Sequence, residues 1–397
     1  MCGRSKTVTK TVDELWIVDE QQEASWREAQ LHARRRNSTG GRDSHRRHRS
    51  CSNAPWYLAP VIVGGSGGSG TRGVTQLLEQ LGIRMACIGR PSLTDSDVCK
   101  LPCNDAADCG LINFEYELRD GGLDQLAWCR SNFTHASDPC NYVERGALRR
   151  ASNQSTPGLA RCGGSKANAL RHVLRKAVRP QFRRPRRWGF KNPHSTYYVN
   201  VLRARYFPCL VYVNTIRDLD QMLSNAKHFG GRVKEARRFG ILGEATGVRL
   251  DAIGNAVGRR HRADTLSDSD MLALQAFYGQ FVRDVNVGLT AWAHRCLPAR
   301  HVNVPLQRMV ALAPRAPNCV EHVASQLAAV LSMDAVKVIN VTRTFAASSL
   351  PIVVASLSQE REQRARMLVK DRSLLSWPTG SALQPAACAG ALVAAAT

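Results

Sequence analysis

The sequence predicts an α/β fold of three layers, with helices on both sides of a central parallel sheet, and three stretches carry that prediction. Pro60 to Gly82 runs from a short apolar, β-branched segment through a glycine-rich loop into a helical stripe. That is the unit from which parallel sheets are assembled. Trp188 to Pro193 and Cys209 to Asp218 each present an apolar segment that stops abruptly at charged or polar residues. Open sheets bind ligands beyond the C-terminal ends of their strands, so chemistry is expected at these three endings.

At 397 residues, 44% of them hydrophobic, the chain can bury a sizeable core as one large domain or two small ones. A net charge of +23 and a pI near 10.1 favour anionic partners, among them nucleotides, acidic polysaccharides, nucleic acid and anionic membrane surfaces. No run of about 18 apolar residues occurs, so neither a spanning helix nor a signal anchor is expected within the chain.

Residues 1–54 are polar and basic, with Arg34 to Arg36 and the cluster from Arg42 to Arg49, and read as a disordered tail. The ordered domain is expected over 55–333. In its first unit Val61, Ile62 and Val63 form the strand, while Val74, Leu77, Leu78 and Leu81 form a helical stripe that Gly82 stops. Between them, Gly64 to Arg72 is a loop whose backbone N–H groups can converge on an anion at the positive helix end. Gly65 to Gly70 has Walker A spacing, but Thr71-Arg72 stands where that motif requires lysine and a hydroxyl. A Walker-type ATPase or kinase is therefore not the first expectation.

Residues 86–165 hold seven of the 13 cysteines and read as a disulfide-stapled insertion. Zinc-type pairs are absent from it, and no metal site is expected. Asn37, Asn132, Asn153 and Asn340 each begin an N-x-[ST] triplet. Cysteines and triplets point to the secretory pathway, with the Golgi lumen expected, whereas the missing anchor points the other way. Leu170, Val173, Leu174 and Ala177 mark a helix that Pro180 stops. Arg183 to Arg187 follow, facing either an acidic substrate or solvent. Next come the strand ending at Lys191, with His194 beyond it, and the apolar strand at 209–216 ending in Arg217-Asp218, with Ser224 on the helix after it. A helical face over 269–296 reads as core, and 301–306 as a further strand. Asn318 and Glu321 are placed to cap a helix through Leu331. Residues 334–397 read as a partly disordered C-terminal extension.

Gly68-Ser69-Gly70-Thr71-Arg72 resembles the 5'-phosphosulfate loop of sulfotransferases that use 3'-phosphoadenosine-5'-phosphosulfate (PAPS), notably the Golgi carbohydrate and heparan sulfate enzymes. That loop reads K/R-S-G-T-T or K-G-G-T-R, and the two forms together cover the last four places here. Gly68 stands where the family has a basic residue. Lys191, Pro193 and Tyr197 or Tyr198 resemble the family's E-K-[ST]-P-x-Y-F, with Phe190 in place of the glutamate base. Arg217 and Ser224 resemble its 3'-phosphate element, seven residues apart rather than the usual eight.

The resemblance implies a P-loop-like fold and sulfuryl transfer from PAPS, without a metal, to a hydroxyl acceptor. Gly67, Gly68, Ser69, Gly70, Thr71 and Arg72 would hold the 5'-phosphosulfate, and Arg217 and Ser224 the 3'-phosphate. Lys191 would stabilise the leaving oxygen. His194 is the candidate base, since imidazole titrates near neutrality, although a surface residue beside Pro193 is the commoner reading of such a histidine. The positive charge leans towards an acidic glycan as acceptor, with protein tyrosine or a small alcohol as rivals, and towards no specific nucleic acid. The alternatives are a diverged P-loop nucleoside-triphosphate kinase or hydrolase using Asp218 to hold a metal, and an inactive nucleotide-binding relative, for which Gly68 and Phe190 speak.

Overall fold

The structure, a computed structural model, describes residues 28, 51, 54, 59–65, 70–85, 129–131, 143–145, 187–191, 195–196, 199–203, 207–217 and 286–365. The basic tail apart from its residues 28, 51 and 54, loop residues 66–69, most of the Cys-rich insertion, the helix at 165–178, His194, Asp218, Ser224 and the tail from 384 lie outside the described residues.

In chain order the elements are β1 (Val61–Gly64), α1 (Thr71–Gln80), β2 (Arg84–Met85), β3 (Cys129–Ser131), β4 (Val143–Arg145), β5 (Trp188–Lys191), α2 (Val199–Val201) and β6 (Val211–Thr215). After these come α3 (286–296), β7 (His301–Val304), α4 (Leu306–Leu312), α5 (Pro317–Leu331) and α6 (Ala335–Ala365). Five strands form one sheet in the order β2-β5-β1-β6-β7, and every pairing in it is parallel. β3 and β4 pair separately and antiparallel, within the segment expected to be stapled by disulfides. The chain is thus α/β with a parallel sheet.

β1 is the middle of the five strands, and all four of its residues are buried. Its apolar, β-branched side chains suit a strand covered on both faces. Alternation along the strands sorts the faces. Val61, Val63, Val213, Val302 and Val304 share one core with Leu77 and Leu78 of α1, Met309 of α4, Val323 and Leu327 of α5, and Val338 and Phe345 of α6. Trp188 and Phe190 alternate with Gly189 and Lys191 along β5, and they pack with Phe207 at ring-centroid distances of 5.9–6.1 Å. On β6 and β7, Tyr212, Asn214, His301 and Asn303 alternate with the valines of the first core, and Asn303 donates to Thr290 of α3 at 3.2 Å.

The helical stripe of α1 is buried as its spacing predicts: Val74, Leu77, Leu78 and Leu81 are all in the core. Gly70 begins the helix at φ +95°, a left-handed value that glycine adopts without strain. Further along, one expectation changes. Asn318 does not cap α5: the cap is Ala316, Pro317 fills the first helical position, and Glu321 pairs with Arg343 instead. Proline is favoured there because its missing N–H would be unpaired in any case. At the start of the C-terminal extension, α6 contributes Val338, Phe345 and Ala346 to the main core.

Cys51 and Cys209 form a disulfide across 158 residues, tying a point inside the basic N-terminal segment to the entry of β6. Arg300 donates to the Cys51 sulfur at 2.9 Å and to the Pro208 carbonyl at 3.2 Å, holding the same corner. Cys296 and Cys319 are also disulfide-bonded. Asn340 lies in α6 with Thr342 of its triplet fully buried, so this triplet is not in a surface loop. Among the described residues no helix is long and apolar enough to cross a membrane.

Candidate anion-binding site

Strand order points to where a ligand would lie. From β1 the chain crosses towards β2 on one side of the sheet, and from β6 towards β7 on the other. Two adjacent strands with diverging connections leave a crevice beyond their C-terminal ends. Gly64 and Asn214 are register partners there, with Gly65 and the glycine loop leaving β1 and Ile216-Arg217 leaving β6.

One side of the crevice is cationic. Lys191 ends β5 opposite Val63, and only 6% of it is exposed. By strand alternation it shares the face of Val63, the face against which α1 packs. Burial first, and the charge of Arg72 second, lower the Lys191 pKa to about 8. Arg72 is exposed on the first turn of α1, next to buried Thr71. That first turn contains no acidic residue, and Gly70 supplies no side-chain cap, so the positive helix end is not neutralised from within. Thr215 ends β6 close to Gly70, its Cγ2 lying 3.9 Å from where a Gly70 Cβ would be, and its buried Oγ1 has no hydrogen-bond partner among the described residues. Gln307, on the first turn of α4 after β7, also has a buried side-chain oxygen with no partner among the described residues. Arg217, partly buried, follows β6 by two residues.

The other side is a hydroxyl network. The Gly65 N–H donates to Thr196 Oγ1 at 2.9 Å, and Thr196 Oγ1 and Ser195 Oγ lie 3.1 and 3.2 Å from Tyr212 Oη. All three hydroxyl side chains are fully buried. Desolvation outweighs those two hydrogen bonds and pushes the Tyr212 phenol up to about 12, so it stays protonated. The His301 ring stacks on Tyr212 at 6.3 Å. Desolvation, then the neighbouring His294, push its pKa down to about 3 against a hydrogen bond that the ring donates to Asn303, so the imidazole is neutral. Asn214 donates to Asn303 at 3.0 Å, closing the network across β6 and β7.

Of the residues singled out from sequence, Gly70, Thr71, Arg72, Lys191 and Arg217 lie at the C-terminal edge of this one sheet, with Arg72 acting electrostatically on Lys191. Gly67, Gly68, Ser69, His194 and Ser224 lie outside the described residues. Sequence reasoning missed Tyr212, Ser195, Thr196 and Thr215. Their signal is faint: one tyrosine among valines, and two hydroxyl residues after a strand. No family model, curated protein or solved structure matches the chain.

Proposed function

We propose that the chain is a PAPS-dependent sulfotransferase of P-loop-like α/β/α architecture, acting on a hydroxyl acceptor, with an acidic glycan as the preferred class. The observation that carries this reading is Lys191: a buried cation at a strand end, facing the first turn of α1 and its Arg72. Two cations drawn together at a helix N-terminus and a strand end suit a group that is anionic when bound and gains charge in the transition state.

In sulfuryl transfer an acceptor hydroxyl oxygen attacks sulfur as the bridging S–O bond to the 5'-phosphate breaks, and the bisphosphate leaves with that electron pair. The acceptor proton passes to a base, for which His194 is the candidate. The protein's part is alignment and charge stabilisation. Gly67 to Arg72 would hold the 5'-phosphosulfate, Arg217 and Ser224 the 3'-phosphate, and Lys191 the bridging oxygen as it departs. The bonded state of Cys51, Cys209, Cys296 and Cys319 supports an oxidising, lumenal setting.

The test is binding of adenosine 3',5'-bisphosphate against ATP with magnesium, followed by transfer of labelled sulfuryl from PAPS to a panel of glycans. Preferred binding of the bisphosphate and label transfer are expected; preference for ATP with magnesium would overturn the reading. Within it, Arg217→Ala is expected to weaken the bisphosphate about 10- to 100-fold, the scale of a lost charge-assisted contact, and to spare an analogue lacking the 3'-phosphate. Equal losses for both ligands would make Arg217 a structural residue.

A further inference from the structure

We infer that Tyr212 is a positioning residue for the anion site: through Thr196 its hydroxyl fixes the Gly65 backbone where the loop leaves β1, and it holds the segment after Lys191 against the same point. The inference rests on the proposed anion site, and four observations carry it. Gly65 N–H, Thr196 Oγ1, Tyr212 Oη and Ser195 Oγ form one continuous chain of contacts, with links of 2.9, 3.1 and 3.2 Å. Each hydroxyl has one proton and can also accept, so Tyr212 can donate to one partner while accepting from the other.

Gly64 is the second observation. A Cβ on Gly64 would overlap the Tyr212 hydroxyl oxygen and crowd Ser195 Oγ at 2.6 Å. Only glycine lets β1 end this close to the phenol. Third, the His301 ring lies nearly parallel to the tyrosine ring, at an interplanar angle of 12°, and fixes its plane. Fourth, Ser195, Thr196 and Tyr212 are fully buried, in an interior where apolar side chains would avoid the desolvation of three hydroxyls. What the hydroxyls add is direction: they commit one backbone N–H at the root of the loop to one acceptor.

Connectivity makes this a shared support. Thr196 is five residues beyond Lys191, so the contact that sets Gly65 also anchors the far end of the segment leaving the catalytic candidate. The two halves of the anion site are registered by β1–β5 pairing below and by this hydroxyl chain above.

The experiment compares Tyr212→Phe, Thr196→Val and Thr196→Ser in the full chain, reading Gly65 amide hydrogen exchange relative to Val63, and Kd for adenosine 3',5'-bisphosphate. Tyr212→Phe and Thr196→Val are expected to speed Gly65 exchange at least tenfold relative to Val63 and to weaken the bisphosphate about tenfold. Thr196→Ser keeps the oxygen and is expected to restore both. Unchanged relative exchange in the Phe and Val variants would overturn the inference, as would faster exchange with undiminished affinity. If the wild-type protein binds no bisphosphate, the sulfotransferase reading falls; the exchange measurement, with inorganic pyrophosphate as ligand, still decides the positioning role.

Discussion

Lys191 is a cation the fold works against. Its pKa in the folded chain, about 8, lies below the ordinary 10.5, so the folded state binds this proton more weakly than the unfolded state does. The cost is present at pH 7, shrinks as pH rises through 8, and is gone above 10.5. Lys191→Met should therefore raise stability at pH 7 by about 1–3 kcal/mol, read as a higher Tm, since the methylene stem is kept and the buried charge removed. The same variant should lower kcat by roughly 100-fold or more with little change in donor affinity, the pattern of an interaction made only in the transition state. A lower Tm, or affinity that falls in step with kcat, would assign Lys191 to structure or to ground-state binding. The lowered pKa also predicts that kcat/KM for the donor declines as pH rises through about 8. Lys191→Arg should move that decline above pH 10, because guanidinium stays protonated; a limb that stays near 8 would belong to another group.

At the scale of elements, β1 and α6 show what a short pattern conceals. β1 ends in a glycine whose missing Cβ makes room for Tyr212. Gly64→Ala should destabilise the protein by about 1–3 kcal/mol, as overpacking does, because the obstacle is a phenol held by its own hydrogen bonds. Chemical denaturation at constant m-value checks this, and a loss below about 0.5 kcal/mol would show that Tyr212 moves freely. α6 was illegible for a different reason. Thr342 is fully buried on the stripe of Val338 and Phe345, and Pro351 lies inside the helix. The Thr342 hydroxyl donates to the Val338 carbonyl at 2.7 Å, which satisfies it within the helix. A polar residue at a core position and an internal proline both break the apolar period by which a helix is read.

For the whole molecule, the Cys51–Cys209 bond joins the segment preceding β1 to the entry of β6, the strand beside it. A link across 158 residues restricts the unfolded chain heavily, and its loss should cost about 2–4 kcal/mol. Cys51→Ser is expected to lower the Tm accordingly, and addition of a reductant to the variant to have a smaller effect than on the wild type. An unchanged Tm would mean that the bond constrains little that folding does not already hold.

Local order was open to the sequence on its own. The strands ending at Gly64, Lys191 and Thr215 follow from short apolar runs, the stripe of α1 from side chains repeating every 3.6 residues, and its stop from Gly82, all signals a short window contains. That a ligand site is expected at the strand ends follows from topology-independent reasoning about parallel sheets. Which residues meet there was decided only by the tertiary structure. Gly65 and Thr196 are 131 residues apart, and nothing near either announces the other. Lys191 feels Arg72 because β5 inserts between β2 and β1, a choice of strand order that no local period encodes. The buried hydroxyls of Tyr212, Thr196 and Ser195 look, in sequence, like ordinary polar residues; only their shared burial, with each partnered by another, gives them a role.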